Sequence, residues 1–226
     1  MDGFFILTCR QAYVIIYNMS AERPFENNLQ PGELSTKRVG DSTLFVVNNH
    51  LSYRVDEVVF PNGNTGQYTY IDDDYAAAAT VPLDKRNGIR NVLLIRQERY
   101  PSQTIGWEIP AGRPELGETA LEAAMRELRE EANVEAELWH QLPQQVEFVG
   151  RGNPRSDLFI AAGIHAVEGV QDASEVISDR RWFPMHKVEE MMLDGAINAS
   201  HTLASLAVAN AFVNRNPNHP ISRYIG

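Results

Sequence analysis

Between Thr119 and Asn133 the sequence carries the start, the period and the stop of one helix. Thr119 followed by Glu122 makes a capping box, in which each side chain answers a backbone N–H of the other residue, so the first helical turn begins at Ala120. At about 100° per residue, Leu121, Ala124, Met125, Leu128 and Ala132 share one arc, which is expected to face the core. Glu127, Glu130 and Glu131 share an adjacent arc with the small residues Ala120 and Ala123. Like charges at this spacing repel by roughly 0.2–0.5 kcal/mol per pair on an exposed helix. Two readings of the arc therefore stand side by side. It is a solvated charged face, softened by the i,i+4 pairs Glu122–Arg126 and Arg126–Glu130, or it is a site assembled from carboxylates.

The residues ahead of the helix favour the second reading. Glu108-Ile109-Pro110-Ala111-Gly112 ends a short apolar segment with a rigid residue followed by permissive ones, a turn that can leave the Ala111 carbonyl pointing outward. A carbonyl beside several carboxylates is the hard oxygen set that Mg²⁺ prefers. From Gly112 through Glu118, Arg126, Glu127, Leu128, Glu130 and Glu131 to Val134 the chain resembles the Nudix box, Gly-x5-Glu-x7-Arg-Glu-(apolar)-x-Glu-Glu-x-Gly-(apolar). Every specified position matches except Asn133, where the family has Gly. That Gly ends the helix in a left-handed conformation, and Asn is the next residue to tolerate it. A positive φ is expected at Asn133.

The box implies hydrolysis of a nucleoside diphosphate linked to some further group. Arg96-Gln97-Glu98-Arg99 and Trp107-Glu108-Ile109-Pro110-Ala111-Gly112 resemble segments of ADP-ribose pyrophosphatases, and the likeness runs from about residue 43 to 215. It implies Mg²⁺-dependent cleavage of ADP-ribose to AMP and ribose 5-phosphate, with Mn²⁺ as a substitute cation. The alternatives are a Nudix hydrolase of a nucleotide sugar or of a dinucleotide such as NADH, and a catalytically silent domain that senses ADP-ribose. By the same resemblance, Glu127 and Glu131 are the principal metal ligands with the Ala111 carbonyl, and Glu130 and Glu118 are accessory ligands. Arg99 would grip the substrate phosphates, with Gly112 and Glu108 beside the substrate; without the resemblance, Arg99 reads equally as a surface salt bridge at a strand end and Glu108 as a strand-end ion pair. Glu175, in Asp172-Ala173-Ser174-Glu175-Val176, stands where relatives carry an acidic loop and is the candidate general base alongside the box glutamates. Tyr68 and Tyr70 could stack on the base, or simply fill a sheet. The relatives also imply a homodimer.

The remainder of the sequence sets the frame. A 226-residue chain with 43% hydrophobic residues can bury a sizeable core. Its net charge of −10 argues against nucleic acid as a partner, though not against a phosphate substrate that arrives with a cation. The single Cys9 can form no internal disulfide and fits a reducing cytoplasm, and the apolar runs 4–7 and 13–17 are too short to span a membrane. Strands are expected at 43–48, 51–60, 67–72, Ala77–Leu83, Asn91–Gln97, Val146–Gly150, Asp157–His165 and Arg180–Phe183, with a hairpin turn over Pro61–Gly66. Helical periodicity falls at 120–132, 186–194 and 199–214. The expected class is α+β, a mixed sheet between helices. It follows a β-rich subdomain over 43–75 and an N-terminal arm over 1–42, in which the two apolar runs read as an extra strand or a loosely attached segment and 20–41 as an irregular linker, leaving 76–226 as the Nudix domain.

Overall fold

The computed structural model describes residues 6–9, 12–19, 36–48, 51–73, 76–168 and 176–226. They fall into two compact units, Met1–Asp74 with Val146–Pro154, and Tyr75–Gln145 with Arg155–Gly226.

In the first unit, β1 (Ile6–Cys9), β2 (Ala12–Met19), β3 (Lys37–Asn48), β4 (Leu51–Val59) and β5 (Thr65–Asp72) form an antiparallel sheet in sequence order. β1 and β2 fall on the two apolar runs near the N-terminus that allowed an extra strand, and β3 begins at Lys37, within the stretch expected to be irregular. The expected hairpin joins β4 to β5: Val59 pairs with Thr65, Asn62 accepts the Asn64 N–H at 3.0 Å, and Gly63 takes a φ of +83°. A strand was expected over Val146–Gly150, but the chain turns there, with φ of +52° at Phe148 and +93° at Gly150. Those left-handed conformations stop any strand. The segment instead exchanges backbone bonds with β5, the Ile71 N–H to the Arg151 carbonyl and the Asn153 N–H to the Ile71 carbonyl.

One face of this small sheet holds a buried polar network. Arg54 donates from Nε and Nη2 to Asp72 at 2.9 and 2.7 Å, and from Nη1 to Ser42 at 3.1 Å. Ser42 donates in turn to Asp56, which also receives the Tyr70 hydroxyl at 3.1 Å. Burial and the neighbouring Asp56 push the Tyr70 hydroxyl well above the ordinary phenol range, so it remains a donor.

The second unit carries the sheet order β10-β11-β6-β7-β12, from β6 (Ala77–Arg86), β7 (Ile89–Arg99), β10 (Val134–Val146), β11 (Arg155–Ala166) and β12 (Ile177–Pro184). The short β8 (Thr104–Glu108) and β9 (Ala111–Gly112) pair with β7 and β6. β11 runs parallel to β6, which makes the sheet mixed. Strand alternation sorts its side chains between two layers. Val92, Leu94, Leu158 and Ile160 join the cluster built with α2 (Met185–Asp194), α3 (Ser200–Arg215) and α4 (Pro220–Ile225). Leu93, Ile95 and Ala161 face the other way, against Leu128 and Ala132 of α1 (Ala120–Ala132). The result is the expected sheet between helices.

Helix α1 starts and stops as its sequence dictates. Thr119 and Glu122 form the full capping box, and Asn133 takes φ 56° and ψ 39° while its N–H returns to the Arg129 carbonyl. Asn133→Gly is therefore expected to be neutral or slightly stabilising in a thermal melt. Asn133→Val should cost about 1–2 kcal/mol, because a β-branched residue resists the left-handed region. A Val variant as stable as the wild type would remove the argument.

The inward face of α1 differs from the expected arc. Ala123, Ala124, Glu127, Leu128, Glu131 and Ala132 are buried, whereas Leu121 and Met125 are exposed. Small residues let the helix sit close, with Ala123 and Ala124 against Ala78 and Phe159. Two carboxylates turn inward because polar partners await them, as described next.

Candidate active site

β9 and α1 build the site between them. The Ala111 N–H donates to Glu131 Oε2 at 2.7 Å, which compensates a carboxylate only 1% exposed. Glu127, one turn earlier, lies against Gly112 so closely that a Cβ there would stand 1.9 Å from its Oε1. Glycine here leaves room for the carboxylate's approach and does not serve an unusual φ. Gly112→Ala must displace the Glu127 carboxylate, and a drop in kcat of about 10–100-fold is expected, the scale for disturbing a ligand's support. Wild-type kinetics in that variant would show that Glu127 has no fixed role.

Arg126 is the hub of the acidic cluster. It donates to Glu118 at 3.1 Å, to Glu127 at 2.7 Å, to Glu130 at 3.0 Å and to the Arg113 carbonyl at 2.8 Å. Partial burial works against its charge, but the bonds to Glu118, Glu127 and Glu130 outweigh that and hold it charged. Hydrogen bonds from Arg126 in turn hold the Glu118 carboxyl below the ordinary carboxylate range. The Arg126–Glu130 pair is present as expected. The Glu122–Arg126 pair is not among the bonds of Glu122, whose carboxylate is taken by the capping box at Thr119. Sequence spacing alone gave no sign that one guanidinium would gather three carboxylates from the loop and the helix.

Arg99 and Glu108, expected separately beside the substrate, are bonded to each other. Arg99 Nη2 and Nε reach Glu108 at 2.8 and 3.2 Å, with Glu108 3% exposed and Arg99 40% exposed in their side chains. His201, which the sequence did not single out, stands 3.6 Å from the same carboxylate. Tyr70 belongs to the other unit, and Glu175 lies outside the described residues. Among the described residues no three His, Cys, Asp or Glu side chains are gathered so as to hold a metal ion by themselves. The donor set still suits Mg²⁺, which uses one or two carboxylates and fills its remaining positions with water and substrate phosphate. Glu127 and Glu131 supply carboxylate oxygens from successive turns of α1.

The family model of the NUDIX domain matches residues 74–206. An ADP-ribose pyrophosphatase of Mycobacterium tuberculosis is 29% identical over 161 residues, covering 70% of this chain and 75% of its own. A CMP-5'-(N-acetyl-N-hydroxy-3-aminopropyl)phosphonate hydrolase of Streptomyces rubellomurinus is 26% identical over 156 residues, covering 69% and 73%. A solved structure described as an ADP compounds hydrolase superposes with a TM-score of 0.67 at 17% identity, covering 82% of this chain and 95% of that one, and so shares its fold. With a carboxylate helix seated on a Gly-bearing turn and a family match over more than half its length, this chain belongs to the Nudix family and is a pyrophosphohydrolase of that family.

Proposed function

We propose that the chain hydrolyses the pyrophosphate bond of ADP-ribose, giving AMP and ribose 5-phosphate, with Mg²⁺ as cofactor. The observation that carries this reading is the pair of inward carboxylates, Glu127 and Glu131, docked on Ala111–Gly112, the turn that follows β8 and its Glu108, the partner of Arg99. The likeness to an ADP-ribose pyrophosphatase over 70% of the chain supports the choice of substrate. The 26% identical CMP-linked phosphonate hydrolase makes base identity the point to test.

In this proposal Glu127 and Glu131 hold the cation with the Ala111 carbonyl, and Glu118 and Glu130 assist. When bound, Mg²⁺ supplies positive charge at the diphosphate and makes water more acidic. Arg99 contacts the phosphates with the exposed part of its guanidinium, while Glu108 fixes its orientation. Arg126 holds Glu118, Glu127 and Glu130 in place before substrate arrives, so little reorganisation is left for the reaction. The water's proton passes to Glu130 or Glu175, and Gln at each position in turn separates the two. The five-stranded sheet is proposed to contribute to a homodimer, as the resemblance to ADP-ribose pyrophosphatases implies for the β-rich unit. No helix among the described residues is long and apolar enough to cross a membrane.

A hydrolysis screen with Mg²⁺ over ADP-ribose, sugar nucleotides, dinucleotides and nucleoside triphosphates tests the substrate. The highest kcat/KM is expected for ADP-ribose, with AMP as a product. A higher value for a triphosphate or a sugar nucleotide would overturn the substrate and leave the family assignment in place.

A further inference from the structure

A helix leaves its last four carbonyls without donors of its own. In α1 the Arg129 carbonyl is met by the Asn133 N–H at 3.1 Å. The Glu131 carbonyl is met from another element altogether: Arg180, on β12, donates to it from Nε at 2.5 Å. The sheet brings Arg180 there. β12 pairs with β7 so that Arg180 stands opposite Ile95, and Ile95 packs with Leu128 and Ala132 of α1. Glu131 is thus gripped at both ends, by the Ala111 N–H at its carboxylate and by Arg180 at its carbonyl.

The geometry points to Arg180 as a positioning residue that fixes the last turn of α1, and with it the Glu131 carboxylate, for the cation and the diphosphate. This rests on the proposed reading of the site. A carboxylate anchored only at its tip can still swing about its backbone, because the end of a helix is where turns fray. A donor on the carbonyl removes that freedom, and a permanent cation at the helix C-terminus complements the dipole. Charge alone is a competing account, and Arg129 separates the two. Arg129 lies in the same last turn but is exposed and bonded to Glu135 at 3.1 Å. Removing it takes away a cation and leaves the Glu131 carbonyl contact intact.

The test uses the full chain and Mn²⁺ alone as the probe, with free Mn²⁺ read by electron paramagnetic resonance. Arg180→Met is expected to weaken Mn²⁺ binding about 10-fold or more, the scale for losing a support behind a metal ligand. At saturating Mg²⁺ it should lower kcat by a similar factor while KM changes less than about twofold, the mark of lost orientation as opposed to lost binding. Arg180→Lys should recover part of both, and Arg129→Met should match the wild type. Wild-type Mn²⁺ affinity in Arg180→Met overturns the inference, as does an equal loss in Arg129→Met. If Arg180→Met does not fold, Arg180→Ala decides, since wild-type Mn²⁺ affinity there has the same force. A wild type that binds no Mn²⁺ removes both this inference and the metal reading. One that binds Mn²⁺ yet leaves ADP-ribose intact sinks only the substrate, because the Mn²⁺ titrations still stand.

Discussion

Glu131→Gln is expected to cut Mg²⁺-dependent turnover by at least ~100-fold, the scale seen when a site loses one key electrostatic group. The substitution is close to isosteric, and the amide oxygen can still accept the Ala111 N–H that now meets Glu131 Oε2 at 2.7 Å. The fold should therefore survive, and a thermal melt should show it. What disappears is the negative charge on a side chain only 1% exposed, where no water can replace it cheaply. Full activity in that variant, or in the presence of EDTA, would sink the metal site. Glu130→Gln is the useful companion, because Glu130 is more open, at 32% side-chain exposure, and is bonded to Arg126. A smaller loss there would rank it below Glu131 as a ligand.

The sequence made α1 legible because its information is local. Capping box, carboxylate spacing and the Asn133 stop all lie within a few residues of one another, and each appears in the structure where the residues place it. The rotation of the helix was not legible in the same way. Leu121 and Met125 look like core residues by hydrophobicity, but they are exposed because β9 offers a backbone N–H to Glu131 and a glycine to Glu127. That preference is tertiary, and no helical period encodes it.

β10 was missed for a related reason. Val134 and Ala136 pack on the α1 side, whereas Leu138 and Leu142, of the same parity, pack on the opposite face. The strand changes phase midway, so no clean alternation of period two exists to be read. Pro143 within it also speaks against a strand, and is tolerated because β10 ends the sheet order. α4 is only a six-residue helix, too short for periodicity, although Pro220 at its first turn was a usable signal. Arg126 and Arg180 mark the limit for the site. Their types were visible, but their partners come from a loop and from across the sheet.

The largest stability effect is expected from Asp72→Ala, in the five-stranded unit. Arg54 and Asp72 are 4% and 5% exposed, and the guanidinium bonds Asp72 Oδ2 through both Nε and Nη2. Removing one partner of a buried pair leaves the other charged and poorly solvated, at a cost of about 3–5 kcal/mol. Asp72 Oδ1 also accepts the Asn153 side-chain amide at 2.7 Å, so the loss extends to the segment that docks on β5. Replacing both charges should cost less than removing Asp72 alone: in Arg54→Met with Asp72→Leu no buried charge is stranded, and such swaps are often neutral. The chain itself supplies a way to see where the damage falls. Trp107, Trp139 and Trp182 all belong to the second unit, so tryptophan fluorescence follows that unit's unfolding in urea. Amide exchange over β4 and β5 follows the first. In Asp72→Ala the exchange protection of Arg54 and Tyr70 should collapse, while the tryptophan transition shifts far less. Unchanged protection in β4 and β5 would show that the pair contributes specificity of register and little stability. A stability loss as large in the double variant would shift the cause to the other side-chain contact of Asp72, with Asn153 the first to test by substitution.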